Sequence, residues 1–258
     1  MAGTVSVVWD GGLATVTLTH AGKFNAMSRS MWRSLRKVFE DFQAQSDLRC
    51  VVVQGQGAHF CAGGDIAEYP AFRFDVQLLR DFHENDVWGG LQAMLDCDVP
   101  VIAQIDGNCM GAGLEIASCC DLRIASEAAR FGAPIAKLGF PMAPREAALV
   151  MRSVGELTAR EMLLSAAVLD AQTMQQRGFL NQVVKDTELA AAVAVCVQRM
   201  RPLAPQAARL NKRSFRALAP VLSESIASDL IAHAYHYADS QEHREGVKAF
   251  TEKRPPQF

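Results

Sequence analysis

Two short stretches place bare backbone beside an acid. In HFCAGGDIAEY (residues 59–69), Gly63 and Gly64 precede Asp65; in DGNCMGAGLEIAS (106–118), Gly107, Gly111 and Gly113 lead to Glu115. Glycine costs about 0.5–1 kcal/mol against alanine inside a helix, so its repeated use points to a backbone requirement. A glycine-rich turn that opens a helix leaves N–H groups without partners, and the helix dipole adds partial positive charge at that end. Such an end can hold an anion or a developing oxyanion. Two of them in one core could aim two N–H groups at a single oxygen, as stabilising a thioester enolate or a tetrahedral intermediate requires. The same glycines also suit plain tight turns, and Glu115 also suits the first turn of a helix as a partner for the dipole. Neither stretch is a P-loop or a full G-x-G-x-x-G fingerprint.

The flanking patterns say what positions these turns. CVVVQG (50–55) and PVIAQIDG (100–107) are short, continuously apolar strands, expected to be buried on both faces. VSVVWDGGLATVTLTH reads as a hairpin turning at Asp10-Gly11-Gly12. Ser28 caps a helix whose apolar residues, Met31, Leu35, Val38, Phe39 and Phe42, form one stripe. The first two-thirds therefore follow a repeating ββα plan. After about residue 144 the pattern turns helical, with breaks at Gly155, Gly178 and Pro202, and the tail reads as helical until Pro255. The expected division is an α/β core over residues 1–200 and a C-terminal helical region over 201–258, with no low-complexity linker between them.

Bulk composition narrows the partners. The chain has 258 residues, 50% hydrophobic and 21% charged, with a formal net charge of -2. No basic surplus exists to neutralise a nucleic-acid backbone. There is no signal-peptide pattern at the N-terminus and no apolar run of transmembrane length, so the expectation is a cytoplasmic protein with no membrane partner. The seven cysteines contain no C-x-x-C pair and read as small buried hydrophobes in a reducing compartment. His233 and His236 have helical i, i+3 spacing but no supporting acids, so no metal is expected there. Cys119 and Cys120 read as core, and Asp121 as a structural acid with a nearby donor.

Taken together, FCAGGDI, PVIAQIDGNCMGAGLEIASCCDLRIAS, AARFGAPIAKLGF and EGVKAFTEKRPPQF resemble the crotonase (enoyl-CoA hydratase/isomerase) superfamily, from about residue 5 to the end. The resemblance implies a spiral of ββα units with C-terminal helices that mediate trimerisation, giving a homotrimer or a hexamer of two stacked trimers. It implies an acyl- or enoyl-CoA thioester as substrate. No metal or redox cofactor is implied, since coenzyme A arrives with the substrate. By the same resemblance the N–H groups of Gly64 and Ala112 hold the thioester oxygen, and Glu115 is the proton-transfer acid beside them. Ala62, Gly63, Asp65, Ile66, Gly111 and Ile135 line the substrate, although Asp65 also reads as a turn cap. HAGKFNAMS (20–28) matches the loop beside the adenine, around Lys23, Phe24 and Ala26. Phe250 and Lys253 match positions that meet the nucleotide, often from a neighbouring subunit; a solvated C-terminal lysine is the other reading.

One departure bears on the reaction. Hydratases of this superfamily carry a second glutamate directly after FG-x-P, where this chain has Ile135. Isoleucine can neither orient a water nor move a proton, whereas hydration uses both carboxylates on one water. A single carboxylate suits double-bond isomerisation through an enolate. A replacement could come from Glu146, which also reads as a surface or helix N-terminal charge, or from His83, Glu84 or Asp86 in RDFHENDVW. Hydratase-like and isomerase-like chemistry are therefore close rivals. Behind them stand a thioester hydrolase or decarboxylase using His83 or Arg145, and a non-catalytic acyl-CoA binder.

Overall fold

In the computed structural model, which describes residues 2–218 and 231–257, the Asp10-Gly11-Gly12 turn joins β1 (Thr4–Asp10) to β2 (Leu13–Thr19). The hairpin is antiparallel, with Thr4 opposite Thr19 and Asp10 opposite Leu13. From β2 onward every neighbour in the main sheet is parallel. β3 (Cys50–Gly55), β4 (Val101–Ile105), β6 (Leu122–Ser126) and β9 (Gln182–Val184) complete a six-stranded sheet in the order β1-β2-β3-β4-β6-β9. A smaller sheet holds β5 (Asn108–Met110), β7 (Arg130–Gly132) and β8 (Val168–Asp170). The chain climbs as a spiral: β4, β5 and the helix α4 (Ala112–Cys119) make one turn, and β6 and β7 begin the next.

The continuous apolar strands are buried on both faces, as their composition predicts. Val51 and Val53 of β3 enter the main core with Val101 and Ala103. Cys50 and Val52 face the other way, against Ile102, Ile124 and, on α8 (Leu189–Met200), Val193 and Val197. α1 (Arg29–Gln43) is capped by Ser28, whose hydroxyl accepts from the Met31 N–H at 3.3 Å. Its buried stripe is Met31, Trp32, Leu35, Phe39 and Phe42, with Val38 only half-buried.

Between β3 and β4 run α2 (Val76–Asp81), a π-helical turn (Phe82–Val87) and α3 (Trp88–Asp96). A widened turn of this kind re-aims side chains and recurs at functional sites. It is pinned by Asp86, buried, which accepts from Arg29 Nε at 2.5 Å and Arg33 Nε at 2.7 Å.

The C-terminal part packs onto the core through α5 (Pro144–Val154), α6 (Glu156–Leu164), α7 (Ala171–Gln176), α9 (Pro205–Leu218) and α10 (Gln241–Thr251). Arg213 and Arg216 of α9 both reach buried Asp98, each at 2.7 Å. Lys212 reaches Asp121 at 2.8 Å, so Asp121 does carry a structural pairing. The expectation of an unbroken helical tail needs correction. Residues 234–239 form a turn, Ser240 caps α10, and the helix ends at Thr251; part of that tail, residues 219–230, lies outside the described residues. All seven cysteines are free and buried, and burial pushes the Cys61 thiol up to about 12. Among the described residues, no helix is long and apolar enough to cross a membrane.

Candidate active site

The two glycine stretches lie side by side. Cys61 donates to the Asn108 carbonyl at 2.9 Å and accepts from the Met110 N–H at 2.9 Å, which sets a parallel bridge between Cys61 and Cys109. Two residues further on, Gly63 (φ 116°) and Gly111 (φ 46°) adopt backbone that side chains rarely enter. A Cβ on Gly111 would stand 3.7 Å from the Gly63 Cα. The register brings Gly64 alongside Ala112, the first residue of α4. Gly63 and Asp65 spend their backbone groups on Met27: the Met27 N–H donates to Gly63 O and the Asp65 N–H to Met27 O, both at 2.8 Å. The Gly64 N–H therefore points to the opposite side. The Ala112 N–H belongs to the unpartnered first turn of α4.

The early loop closes over this pair. Ala62 N–H donates to Phe24 O at 3.0 Å, and Lys23 Nζ meets Asp65 at 2.6 Å. Phe24 and Asn25 both have positive φ, held by Asn25 Nδ2 donating to the Gln56 and His59 carbonyls. Lys23, Phe24, Ala26, Ala62, Gly63 and Asp65 thus belong to one neighbourhood. Asp65 also caps the short 3-10 turn Ile66–Ala71 through the Ala67 N–H.

Glu115 projects from the first turn of α4 and is 8% exposed. Burial, then the charge of Glu146, pushes its carboxyl up to about 8 against the opposing pull of Arg73. Glu146 comes from the first turn of α5 and is 2% exposed, so the reading of it as a surface charge does not hold. Its Oε1 lies 3.0 Å from His83 Nδ1, a side chain delivered by the π-helical turn. Among the described residues His83 Nε2 is buried with no hydrogen-bond partner, and its ring stacks on Tyr235 at 5.4 Å. Two carboxyls and one imidazole therefore share a buried neighbourhood behind the two glycine loops.

Sequence reasoning missed two neighbours. Tyr69 places its hydroxyl against the Gly64 Cα. Arg73 lies 4.3 Å over the Tyr69 ring and 3.8 Å over the Phe140 ring, and is 1% exposed. The available signal was the setting of Arg73 between Phe72 and Phe74. An arginine flanked by aromatics in a short turn has few ways to reach solvent.

The sequence model of the enoyl-CoA hydratase/isomerase family matches residues 9–258. The chain belongs to the enoyl-CoA hydratase/isomerase family. It is 31% identical to the 2,3-dehydroadipyl-CoA hydratase of Escherichia coli (strain K12) over 246 residues, 94% of this chain and 93% of that one. The crystal structure of an enoyl-CoA hydratase/carnithine racemase from Magnetospirillum magneticum superposes with a TM-score of 0.82 at 33% identity, covering 99% and 95% of the two chains. Methylmalonyl-CoA decarboxylase in complex with 2-nitronate-propionyl-CoA superposes at 0.86 with 25% identity, covering 99% and 98%. The fold is the crotonase fold.

Within this enoyl-CoA hydratase/isomerase framework the remaining candidates separate. Ile135 opens a 3-10 turn (Ile135–Leu138) and packs, half-buried, against the main core. Glu84 is engaged by Arg145 at 2.8 Å and by the Tyr235 hydroxyl at 2.6 Å, and Asp86 is locked in its arginine pairs. Arg145 also lies over the Trp88 ring, 5.7 Å from its centroid. Phe250 is 55% exposed near the end of α10, and Lys253 is exposed just beyond it. His233 and His236 meet edge to face, 5.1 Å between ring centroids.

Proposed function

We propose that the chain hydrates an enoyl-CoA thioester, with Glu115 and Glu146 as its acid–base pair. The observation that carries this reading is Glu146, a buried carboxyl whose charge adds to burial in raising Glu115, which supports a second carboxyl in place of the one absent at Ile135. The thioester oxygen sits between the N–H groups of Gly64 and Ala112, where enolate charge develops. Glu146, held by His83, takes a proton from water as the water oxygen bonds to Cβ. Glu115, still protonated at neutral pH, delivers its proton to Cα as the enolate collapses. The orphan His83 Nε2 is a ready partner for that water or for the hydroxyl it becomes. Lys23, Phe24 and Ala26 lie toward the coenzyme A moiety, and Phe250 and Lys253 serve the nucleotide, from the same or a neighbouring subunit.

Exposed Leu157, Leu164, Phe215 and Leu218 on α6 and α9 support self-association, as a homotrimer or a hexamer. Seven unpaired thiols support a reducing, cytoplasmic setting.

The test follows crotonyl-CoA by its conjugated absorbance. Glu146→Gln is expected to slow hydration by about 10²–10³-fold. Hydration at full rate by that variant would remove Glu146 from the mechanism, and double-bond migration without water addition would instead indicate the one-carboxylate isomerisation. Release of free thiol from acyl-CoA would instead indicate hydrolysis, and binding without turnover a non-catalytic binder.

A further inference from the structure

Arg73 is a buried cation whose partners among the described residues are all neutral. Its Nε donates to His243 Nε2 at 3.3 Å and its Nη2 to the Tyr237 hydroxyl at 3.3 Å. His243 Nδ1 lies 3.0 Å from the Ala238 carbonyl, so the tautomer that accepts from Arg73 carries its proton on Nδ1. Burial, then the charge of Arg73, pushes that imidazole down to about 4, which keeps it neutral. Among the described residues no carboxylate oxygen lies within 4.0 Å of the guanidinium. Arg123, also largely enclosed, shows the contrast: it donates to the carbonyls of Phe179, Ala117 and Cys120, two of these bonds at 2.6 Å. Among the described residues Arg73 makes two long bonds, through Nε and Nη2. Charges buried without an opposite charge are rare because desolvation goes uncompensated.

The place of Arg73 is as informative as its isolation. The Tyr69 ring separates it from the Gly64 backbone, and its charge is felt at Glu115. The Tyr69 and Phe140 rings clamp the guanidinium, a planar group whose fork can accept a carboxylate with two parallel bonds. We infer that Arg73 anchors a carboxylate at the far end of the acyl group, so that the substrates are CoA thioesters of short dicarboxylic acids. This rests on the acyl-CoA reading above and specifies its substrate class. Arg73 is on this account a specificity residue, and Tyr69 is the wall along which the acyl chain runs.

The experiment is titration calorimetry on the full chain with matched pairs of stable thioesters: succinyl-CoA against butyryl-CoA, glutaryl-CoA against valeryl-CoA. At least one acidic member is expected to bind about 10-fold or more tightly than its neutral partner. Arg73→Met is expected to erase that difference while leaving the neutral affinity in place, and Arg73→Lys to restore part of it. Equal binding of acid and neutral partners by the wild-type chain would overturn the inference, and needs no variant to fold. An equal loss for both partners in Arg73→Met would also overturn it, leaving Arg73 as a counter-charge to Glu115. Failure of every CoA ester to bind would instead remove the acyl-CoA reading itself.

Discussion

Glu115→Gln is expected to cost turnover and gain stability in the same molecule. Removing the proton donor should lower hydration by about 10²–10⁴-fold. The stability gain follows from the raised carboxyl. The folded chain holds the Glu115 proton up to about 8, while an exposed glutamate releases it near 4.5. Between those values the folded state binds more protons than the unfolded state, so wild-type stability falls as pH rises through the window. Below about pH 4.5 both states are protonated and this contribution is absent; above about pH 8 the full cost is present. Glutamine never ionises and escapes it. The variant should therefore melt like wild type near pH 4.5 and well above it at pH 8. Thermal melts at the two pH values check this. Parallel melting at both would show that Glu115 ionises as freely in the folded chain as in water.

Asp86→Ala should be the most damaging change outside the reacting groups. Asp86 is buried between Arg29 and Arg33, and its removal strips both of a charge partner, leaving Arg29 only the exposed Asp81. The arginines left behind reach solvent, Arg33 more than Arg29, so the cost is that of the lost charge-assisted hydrogen bonds, about 1.5–3 kcal/mol. The loss acts on the π-helical turn that delivers His83, three residues earlier, to Glu146. Urea unfolding should show a midpoint shift with little change in slope, accompanied by lost turnover. An unchanged midpoint would mean that the turn holds its shape without the ion pairs.

Elements fixed by local rules could be read directly from the sequence. The Asp10-Gly11-Gly12 hairpin, the Ser28 cap and the apolar strands at 50–55 and 101–105 depend on neighbours within a few residues. The two glycine turns and Glu115 were also visible, because their demand for bare backbone is written in residue type. What could not be read was the facing of charged residues on helices. Arg145 and Glu146 are adjacent in sequence, yet about 100° apart around α5; one reaches the partly exposed Glu84 and the other turns inward to His83. The widened turn at 82–87 likewise has no signature of its own, and it decides that His83 faces inward while Asp86 is consumed by arginines. Arg73 and His243 stand far apart along the chain, and their meeting depends on the turn at 234–239 and the docking of α10.

The seven enclosed thiols turn the protein into its own clock for opening. Thiol reagents attack the thiolate, and burial both hides these sulfurs and suppresses their ionisation. Alkylation of the native chain should proceed only as fast as segments unlatch. Cys196 on α8, the most accessible at 8% exposure, would be labelled first, and Cys61 and Cys109 beneath the glycine loops among the last. Mass spectrometry of labelled peptides over time would then rank the layers of the spiral by how often each comes apart.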